Sequence, residues 1–203
     1  RYTLYGMLSR LGLDILDLGA IADDPDLLEK TLLAATQQAD VVITSGGVSV
    51  GEADHMKTLL SKHGQVLFWK INMKPGRPLA YGKIGEAHYF GLPGNPVAVM
   101  VTFYQFVRVA LLTLMGQTQI PPQPTFNVVC TEPIKKQSGR TEFQRGILYT
   151  DQDGSWKVKP TGNQGSAILS SMSKANCFIV LDESVGNLDA GTTVAVQVLH
   201  GLI

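Results

Sequence analysis

The stretch Asp40-Val41-Val42-Ile43-Thr44-Ser45-Gly46-Gly47-Val48-Ser49-Val50-Gly51-Glu52-Ala53-Asp54 decides the predicted fold of this 203-residue chain. An apolar run leads into glycines and then into helical spacing, so the order predicts a strand, a turn and the start of a helix. Such turns bind ligands in α/β proteins, because glycine lets backbone N–H groups approach an anion and the helix N-terminus adds partial positive charge. Asp54 adds a carboxylate that could hold a cation beside that anion. A glycine-rich turn with an N-cap aspartate and no ligand is the alternative interpretation.

The composition indicates a globular protein with no strong charge. Hydrophobic residues make up 44% of the chain, enough for a buried core in one large or two small domains. The 17 basic residues balance the 17 acidic ones, so no overall field favours nucleic acid or an anionic membrane as a partner. Cys130 and Cys177 lack metal-ligand spacing, which indicates ordinary packing in a reducing compartment, the cytoplasm, without structural zinc or a disulfide framework.

The repeated strand–helix order predicts an α/β domain with a largely parallel sheet covered by helices. The predicted elements are helices over 1–11, 25–38, 54–63 and 96–115, strands over 14–19, 40–44 and 65–70, and a hairpin-like passage over 79–90. The last helix is long and apolar, but Gln105 and Arg108 near its centre would be costly in lipid. We therefore expect a buried core helix there and no membrane span.

A stiff, proline-rich segment, Ile120-Pro121-Pro122-Gln123-Pro124, separates two kinds of sequence. Beyond it, turns alternate with β-type runs over 125–130, 142–149, 156–159, 177–181 and 192–198. These features predict two domains: an α/β domain over residues 1–117 and a small all-β domain over residues 118–203.

A cationic, proline-rich loop follows the third predicted strand. Its sequence, Ile71-Asn72-Met73-Lys74-Pro75-Gly76-Arg77-Pro78, carries Lys74 and Arg77, with Lys70 just upstream. Arginine offers a planar fork and lysine a point charge, so the cluster suits phosphate or another oxyanion. Separately solvated cations are the alternative.

A second glycine turn, Gly91-Leu92-Pro93-Gly94-Asn95-Pro96, precedes the long helix. Asn95 is a good N-cap and Pro96 a good first helical residue, so backbone amides point at whatever lies above the sheet. The two glycine turns can converge on one ligand.

Three further features are ambiguous from the residues alone. Asp23 lies in an acidic turn, where turn formation or capping competes with a metal role. Arg145 lies near glycines in 138–146, and Ser166 ends the polar loop 161–166; exposed turns are the alternative for both segments.

Taken in order, these motifs closely resemble the molybdopterin molybdenumtransferase family, which includes the bacterial MoeA proteins and the E domain of gephyrin. The resemblance rests on Ser45–Asp54, Lys74–Pro78, Gly91–Pro96 and Gly139–Gly146, and it covers essentially the whole chain. It implies that residues 1–117 form most of a three-layer molybdopterin-binding domain, N-terminally incomplete, and that residues 118–203 form the C-terminal β domain. The abrupt start of the sequence agrees with an expectation that the family's N-terminal domains are missing.

The resemblance implies the last step of molybdenum cofactor synthesis, in which molybdate is inserted into adenylylated molybdopterin and AMP is released. Asp54 and Asp23 would hold Mg²⁺ or another divalent cation at the pyrophosphate, and with Lys70 and Lys74 they form the implied catalytic set. The implied substrate-binding residues are Ser45, Gly46, Gly47, Ser49, Gly51, Arg77, Pro93, Asn95, Pro96, Arg145 and Ser166. Preorganised charges around anions, with no side-chain nucleophile, are the expected means of catalysis.

The family's site lies at a homodimer interface and borrows residues from the N-terminal domains, and a molybdopterin adenylyltransferase is a possible partner. We therefore expect this chain alone to bind ligands weakly and to turn over nothing. One departure from the family pattern is Val97-Ala98, where family loops often have Val-Ser, so one hydroxyl contact is missing.

Two other functions stay open from the sequence. A molybdopterin adenylyltransferase resembles the α/β domain and its glycine loop, although the C-terminal β domain argues against it. A non-catalytic, gephyrin-like scaffold that binds receptor peptides is the third interpretation.

Overall fold

The structure is a computed structural model that describes residues 1–47 and 53–199, with the side chains of residues 53 and 54 left out. The chain divides into two compact units. The first unit comprises Arg1–Ile71 and Gly76–Val107, and the second unit comprises Asn72–Pro75 and Arg108–Ile203.

Most helices begin where the sequence predicts. They are α1 (Tyr2–Ser9), α2 (Pro25–Thr36), α3 (Ala53–His63), α4 (Pro96–Thr102), α5 (Arg108–Leu114) and α6 (Leu169–Lys174), with a π-helical turn, Phe103–Val107, joining α4 to α5. Asp24 caps α2 through its Oδ1, which accepts the N–H of Leu27 at 2.8 Å, and Pro25 takes the first helical position. This start of α2 confirms the predicted cap.

Ten strands lie in the described residues. They are β1 (Val41–Ser45), β2 (Gly64–Lys70), β3 (Met73–Lys74), β4 (Pro78–Ile84), β5 (Ala87–Leu92), β6 (Thr125–Cys130), β7 (Thr141–Thr150), β8 (Trp156–Pro160), β9 (Cys177–Leu181) and β10 (Thr193–Val198). The sheet of the first unit has the order β1-β5-β4-β2.

The prediction of a largely parallel sheet is wrong, because this sheet is mixed. Only β1 and β5 run parallel, whereas β4 pairs antiparallel with both β5 and β2. Ile84 and Ala87 are paired across a two-residue turn that begins at Gly85, whose φ is 57°. A connection this short can join antiparallel strands only, since parallel strands need a long crossover.

The predicted strand over 14–19 is also wrong. These residues adopt no regular structure, and Leu16 and Leu18 are 53% and 44% exposed. In the part of the chain that the structure describes, β1 pairs with β5 alone and this segment joins neither edge of the sheet. Alternating apolar residues form a strand only when a neighbouring strand supplies the hydrogen bonds.

Helices α2 and α3 pack on the sheet of the first unit. Their apolar side chains form its core with residues of β4 and β5; the buried members are Leu32, Met56, Leu59, Leu60, Ala80, Ile84 and Tyr89. Among the described helices, only the continuous one over Pro96–Leu114 is long and apolar enough to cross a membrane, and 61% of that window is buried. This burial favours the predicted core helix.

The second unit is built around a closed β-barrel. Its strands follow the order β7-β8-β6-β10-β9, and a further antiparallel pairing of β9 with β7 closes the ring. The short strand β3 pairs parallel with the start of β7. The five predicted C-terminal strands are present, but helix α6 also lies in this region, so the all-β prediction is wrong in that detail. Cys130 and Cys177 are free thiols in the barrel core, where they pack among apolar side chains.

Candidate functional site

The first unit brings the two glycine turns together. Both turns follow parallel neighbouring strands, β1 and β5, so they emerge at the same edge of the sheet. The N–H of Gly46 donates to the carbonyl of Leu92 at 3.1 Å, and the Ser45 hydroxyl donates to the carbonyl of Pro93 at 3.2 Å. A Cβ added to Gly94 would lie 3.7 Å from Gly46 Cα. The predicted convergence therefore exists at the level of the backbone.

Glycine is required in the first turn for its backbone conformation. Gly46 and Gly47 have φ angles of 91° and 69°, in the left-handed region that other residues rarely adopt. Two successive residues of this kind turn the chain sharply after β1. The backbone of this turn can therefore approach a ligand without side chains in the way.

The second turn leads directly into α4. Asn95 is the N-cap residue with extended backbone angles, and Pro96 occupies the first helical position, as the sequence predicts. The Asn95 side chain makes no capping hydrogen bond to the helix. The first N–H groups of α4 are thus not capped by that side chain, and an anion at this helix start would be favoured.

Tyr89 and Thr44 support the turns from inside the sheet. The Tyr89 hydroxyl and Thr44 Oγ1 lie 2.7 Å apart, and Tyr89 is completely buried. Burial raises the pKa of Tyr89 to about 12, and the hydrogen bond to Thr44 opposes part of that increase. Tyr89 is therefore a neutral hydrogen-bonding group at physiological pH.

Lys70 and Arg77 lie at the two ends of the loop between β2 and β4. Lys70 pairs with Pro78, and the N–H of Ile71 donates to the carbonyl of Arg77 at 3.0 Å. Both cationic side chains are exposed. Each cation can therefore meet an anion from solvent.

Lys74 belongs to the second unit, where it pairs with a buried carboxylate. Its Nζ donates to Oε1 of Glu142 at 3.2 Å, and the Lys74 side chain is 50% exposed whereas that of Glu142 is 3% exposed. Gln144 Nε2 donates to the other oxygen, Oε2 of Glu142, at 3.0 Å. The ammonium group of Lys74 is therefore hydrogen-bonded to the buried carboxylate on one side and accessible to solvent on the other.

Arg145 lies in the interior of the second unit. It is 1% exposed, its Nε donates to the Ser171 hydroxyl at 3.0 Å, and its Nη2 donates to the carbonyl of Gly165 at 3.1 Å. Burial lowers the pKa of Arg145 to about 10, which the carboxylate of Glu142 partly offsets, so the guanidinium stays charged at neutral pH. The loop 161–166, which ends at Ser166, is tied to Arg145 through Gly165.

The predicted cation site and the predicted substrate-binding loop are each described only in part. The cation ligand Asp54 has its side chain outside the described residues, and the loop residues Ser49 and Gly51 also lie outside them. Asp23 is exposed and precedes the Asp24 cap. No group of three or more His, Cys, Asp or Glu side chains suited to a metal ion occurs within residues 1–47 and 55–199. The described acidic residues thus form no metal site by themselves.

Reasoning from the sequence did not single out Glu142, Gln164 or Ser171. Gln164 exchanges two hydrogen bonds with the backbone of Arg145, through Oε1 at 2.8 Å and Nε2 at 3.1 Å. The available signals were the position of Glu142 in the segment that carries Arg145 and the position of Gln164 in the polar loop 161–166; Ser171 lies in no predicted motif. Which of them face those cations depends on the pairing of distant strands, and spacing does not reveal that pairing.

Comparison with known families agrees with this arrangement of two units. The family described as "Probable molybdopterin binding domain" matches residues 1–113. The family described as "MoeA C-terminal region (domain IV)" matches residues 127–199.

Curated relatives carry the corresponding names. A molybdopterin molybdenumtransferase of Haemophilus influenzae is 47% identical over all of this chain and 50% of its own length. One from Bacillus subtilis is 32% identical over 97% of this chain and 46% of its own length. A gephyrin of Dictyostelium discoideum is 37% identical over 87% of this chain and 28% of its own length. The chain thus spans about half the length, or less, of these curated relatives.

Solved structures agree with the curated relatives. A molybdenum cofactor biosynthesis protein from Pyrococcus furiosus has a TM-score of 0.74 and 28% identity, covering 98% of this chain and 63% of its own. A molybdopterin biosynthesis MoeA protein from Pyrococcus horikoshii has a TM-score of 0.73 and 26% identity, covering 98% of this chain and 45% of its own. Because the first family matches more than half of the residues, the chain belongs to the molybdopterin-binding domain family, and its residues 127–199 match the MoeA C-terminal region.

Proposed function

We propose that the chain is the part of a molybdopterin molybdenumtransferase that binds adenylylated molybdopterin and molybdate, so that molybdate is inserted and AMP is released. The convergence of the turns after β1 and β5 carries the proposal, since the backbone of the first turn comes close to Gly94, next to the start of α4. Backbone N–H groups at a helix start bind phosphate groups, and adenylylated molybdopterin contains a pyrophosphate.

The cations supply the second part of the proposal. Molybdate is a tetrahedral dianion, and Lys70, Lys74 and Arg77 provide exposed or half-exposed positive groups for it or for phosphate. Charges fixed in place before the reaction stabilise negative charge that develops on oxygen atoms. We assign Lys70 and Lys74 to this catalytic role and Arg77 to substrate binding.

Contacts to adenylylated molybdopterin are proposed for the remaining residues. Ser45, Gly46 and Gly47 would bind through the first turn, with Ser49 and Gly51 continuing that loop, and Pro93, Asn95 and Pro96 would shape the second. Ser166 would contact the substrate directly. For Arg145 we propose an indirect role, because its guanidinium already holds the loop that ends at Ser166.

A divalent cation, Mg²⁺, fits the proposed substrate because carboxylate oxygens and pyrophosphate are its preferred ligands. Asp23 and Asp54 are the proposed protein ligands. When bound, the cation would offset negative charge on the phosphate oxygens. The remaining roles depend on the cationic side chains and the backbone amides of the chain itself.

We retain residues 1–117 and 118–203 as the functional domains. A homodimer is proposed as the working form, with a molybdopterin adenylyltransferase as a possible partner that supplies the substrate. Exposed apolar side chains in the first unit, such as Leu16 and Leu18, support the proposal that another protein chain packs against this unit. The two buried free thiols, Cys130 and Cys177, support the cytoplasm as the compartment.

Calorimetric titration of the chain with adenylylated molybdopterin tests the substrate-binding proposal. We expect the variant Gly94→Val to weaken binding by about tenfold or more, because its side chain would enter the space between the turns. Gly186→Val is the matched control, since a Cβ there meets nothing within 4 Å and the residue lies in the second unit. Equal affinity of the wild type and Gly94→Val for the substrate would refute the assigned site.

Two product assays separate the proposed function from its alternatives. With adenylylated molybdopterin and molybdate, AMP is the expected product of the whole protein, and we expect little or none from this chain alone. With molybdopterin and Mg-ATP, adenylylated product would instead indicate the adenylyltransferase. Failure to bind either pterin, together with binding of a peptide, would favour a scaffold.

A further inference from the structure

The contact between Lys74 and Glu142 joins two segments that are 68 residues apart in the chain. Lys74 lies on β3 and Glu142 on β7, and the two residues are direct partners in the parallel register. Met73, the other residue of β3, is 2% exposed and anchors the strand. The backbone therefore fixes where the Lys74 side chain begins, and Glu142 fixes where it ends.

The Glu142 carboxylate is itself held in a fixed orientation. Gln144 Nε2 donates to Oε2 of Glu142 at 3.0 Å and also to the carbonyl of Lys135 at 3.0 Å. Gln144 is 4% exposed and cannot readily exchange these partners for water. One carboxylate oxygen is thus occupied by the protein interior, and the other is directed at Lys74.

A carboxylate suits this position because both of its partners are donors. Lys74 Nζ donates to one oxygen and Gln144 Nε2 to the other, so a glutamine would set its own amide N–H group against one of them. The nearly full burial of the carboxylate is costly, and its ion pair with a half-exposed lysine recovers only part of that cost. The charge acts on two neighbours, the buried Arg145 guanidinium, whose burial it partly offsets, and the half-exposed ammonium group of Lys74.

We propose that Glu142 is a positioning residue that holds the Lys74 ammonium for a tetrahedral oxyanion. This inference rests on the proposed function, which assigns Lys74 to molybdate or phosphate. An ammonium has three N–H donors, one of which points at Glu142 Oε1. With that donor fixed, the ammonium presents its other N–H groups to solvent from the half-exposed side.

The first experiment needs no ligand. Lysine acetylation of the wild type and of Glu142→Gln is followed over time by peptide mass spectrometry. Loss of the carboxylate should speed labelling of Lys74 by about two- to tenfold, the factor expected for one ordinary hydrogen bond. Glu183→Gln is the matched control, because Glu183 is an exposed carboxylate that accepts from Asn72 beside β3. An unchanged Lys74 labelling rate in Glu142→Gln would overturn the proposed contact.

The second experiment measures molybdate binding by calorimetry in four proteins: wild type, Glu142→Gln, Lys74→Met and the double variant. Glu142→Gln should weaken binding by about two- to tenfold, the factor expected when the ammonium group loses the one hydrogen bond that fixes it. In the Lys74→Met background the same substitution should add nothing, because the two residues act as one unit. A merely structural role would give equal effects in both backgrounds, and that result would overturn the inference.

Failure of the inference can be told apart from failure of the proposed function. Absence of molybdate binding by the wild type would refute the function assigned to Lys74, whereas the labelling result would still decide the Glu142–Lys74 contact. Unfolding temperatures of all variants are measured alongside. If Glu142→Gln does not fold, Glu142→Asp replaces it, since aspartate keeps the charge but shortens the reach to Lys74 by one methylene group.

Discussion

Gly46 donates its backbone N–H to the carbonyl of Leu92, with an N···O distance of 3.1 Å. The bond joins the residue after β1 to the last residue of β5, so two turns 46 residues apart act as one structural feature. Gly46 itself adopts a left-handed backbone, with a φ angle of 91°. A substitution at Gly46 therefore tests the turn through its backbone conformation.

Gly46→Ala should destabilise the first unit without any steric clash. The φ angle of Gly46 is 91°, and a Cβ there would meet no atom of the described residues within 4 Å, so backbone strain of about 1–2 kcal/mol is the expected cost. Urea unfolding measures the change. The control Gly6→Ala lies inside α1, where a Cβ also meets nothing within 4 Å. It should stabilise the protein by about 0.5–1 kcal/mol, and a loss of stability in both variants would contradict the explanation.

Tyr89 should make stability fall at high pH. Its pKa is about 12 in the folded state and about 10 when unfolded, so between these values the unfolded chain releases a proton that the folded chain keeps. The unfolded state then binds fewer protons, and the free energy of unfolding decreases as pH rises. The contribution is complete below pH 10 and is lost by about pH 12, by roughly 2–3 kcal/mol in total.

The difference between the wild type and Tyr89→Phe isolates this effect, because other groups titrate equally in both proteins. Tyr89→Phe should lose about 1 kcal/mol at neutral pH, where the hydrogen bond to Thr44 is removed. Above pH 10 the gap between the two stabilities should close and, because the wild type loses roughly 2–3 kcal/mol, it should reverse by about pH 12, where Tyr89→Phe becomes the more stable protein. Parallel pH profiles over this range would show that Tyr89 titrates like an exposed tyrosine.

Ser171→Ala should destabilise the second unit by about 1–3 kcal/mol, because it removes a hydrogen-bond acceptor from the buried Arg145 guanidinium. Arg145→Lys should cost at least as much, since one ammonium cannot reach both Ser171 and the carbonyl of Gly165. Urea unfolding compares these variants with Ser173→Ala, an exposed serine on the same short helix. A Ser173→Ala effect as large as that of Ser171→Ala would argue against a special role for the arginine contact.

Gly146→Ala should destabilise the barrel through overpacking. A Cβ there would lie 2.8 Å from Cys177 Sγ, 2.9 Å from Ile179 Cγ1 and 3.0 Å from Val158 Cγ2. The expected loss is about 1–3 kcal/mol in thermal or urea unfolding. Gly186→Ala serves as the control, since its Cβ meets nothing within 4 Å.

The double variant Gly146→Ala, Cys177→Ala separates overpacking from other causes. Removing the sulfur atom clears the closest contact, so the two substitutions together should cost less than the sum of their separate effects. Strict additivity of the two free-energy changes would contradict the overpacking explanation.

Local features of the chain were predictable because their causes lie within a few residues. Asp24 and Pro25 mark the start of α2, and Asn95 and Pro96 mark the start of α4, through the chemistry of caps and first helical positions. The glycines after the predicted strand indicated a turn, and Gly46 and Gly47 form one in which both residues adopt a positive φ.

Features that depend on distant partners were not predictable in this way. The segment over 14–19 has a strand-like pattern but no neighbouring strand in the described residues, so it forms none. The hairpin-like passage over 79–90 is confirmed as the antiparallel pair of β4 and β5, but the antiparallel pairing of β2 with β4 contradicts the largely parallel sheet that the strand–helix order predicted.

The sequence by itself determined where most helices, strands and turns begin, and it identified the cations and glycines of the candidate site. Only the tertiary structure decided that the turns containing Gly46 and Gly94 meet. It also decided that Lys74 is hydrogen-bonded to Glu142 and that Arg145 is buried inside the second unit. The physical reason is that propensities and caps act between near neighbours, whereas strand pairing and burial depend on residues far apart in the chain. These long-range pairings give the candidate site its geometry.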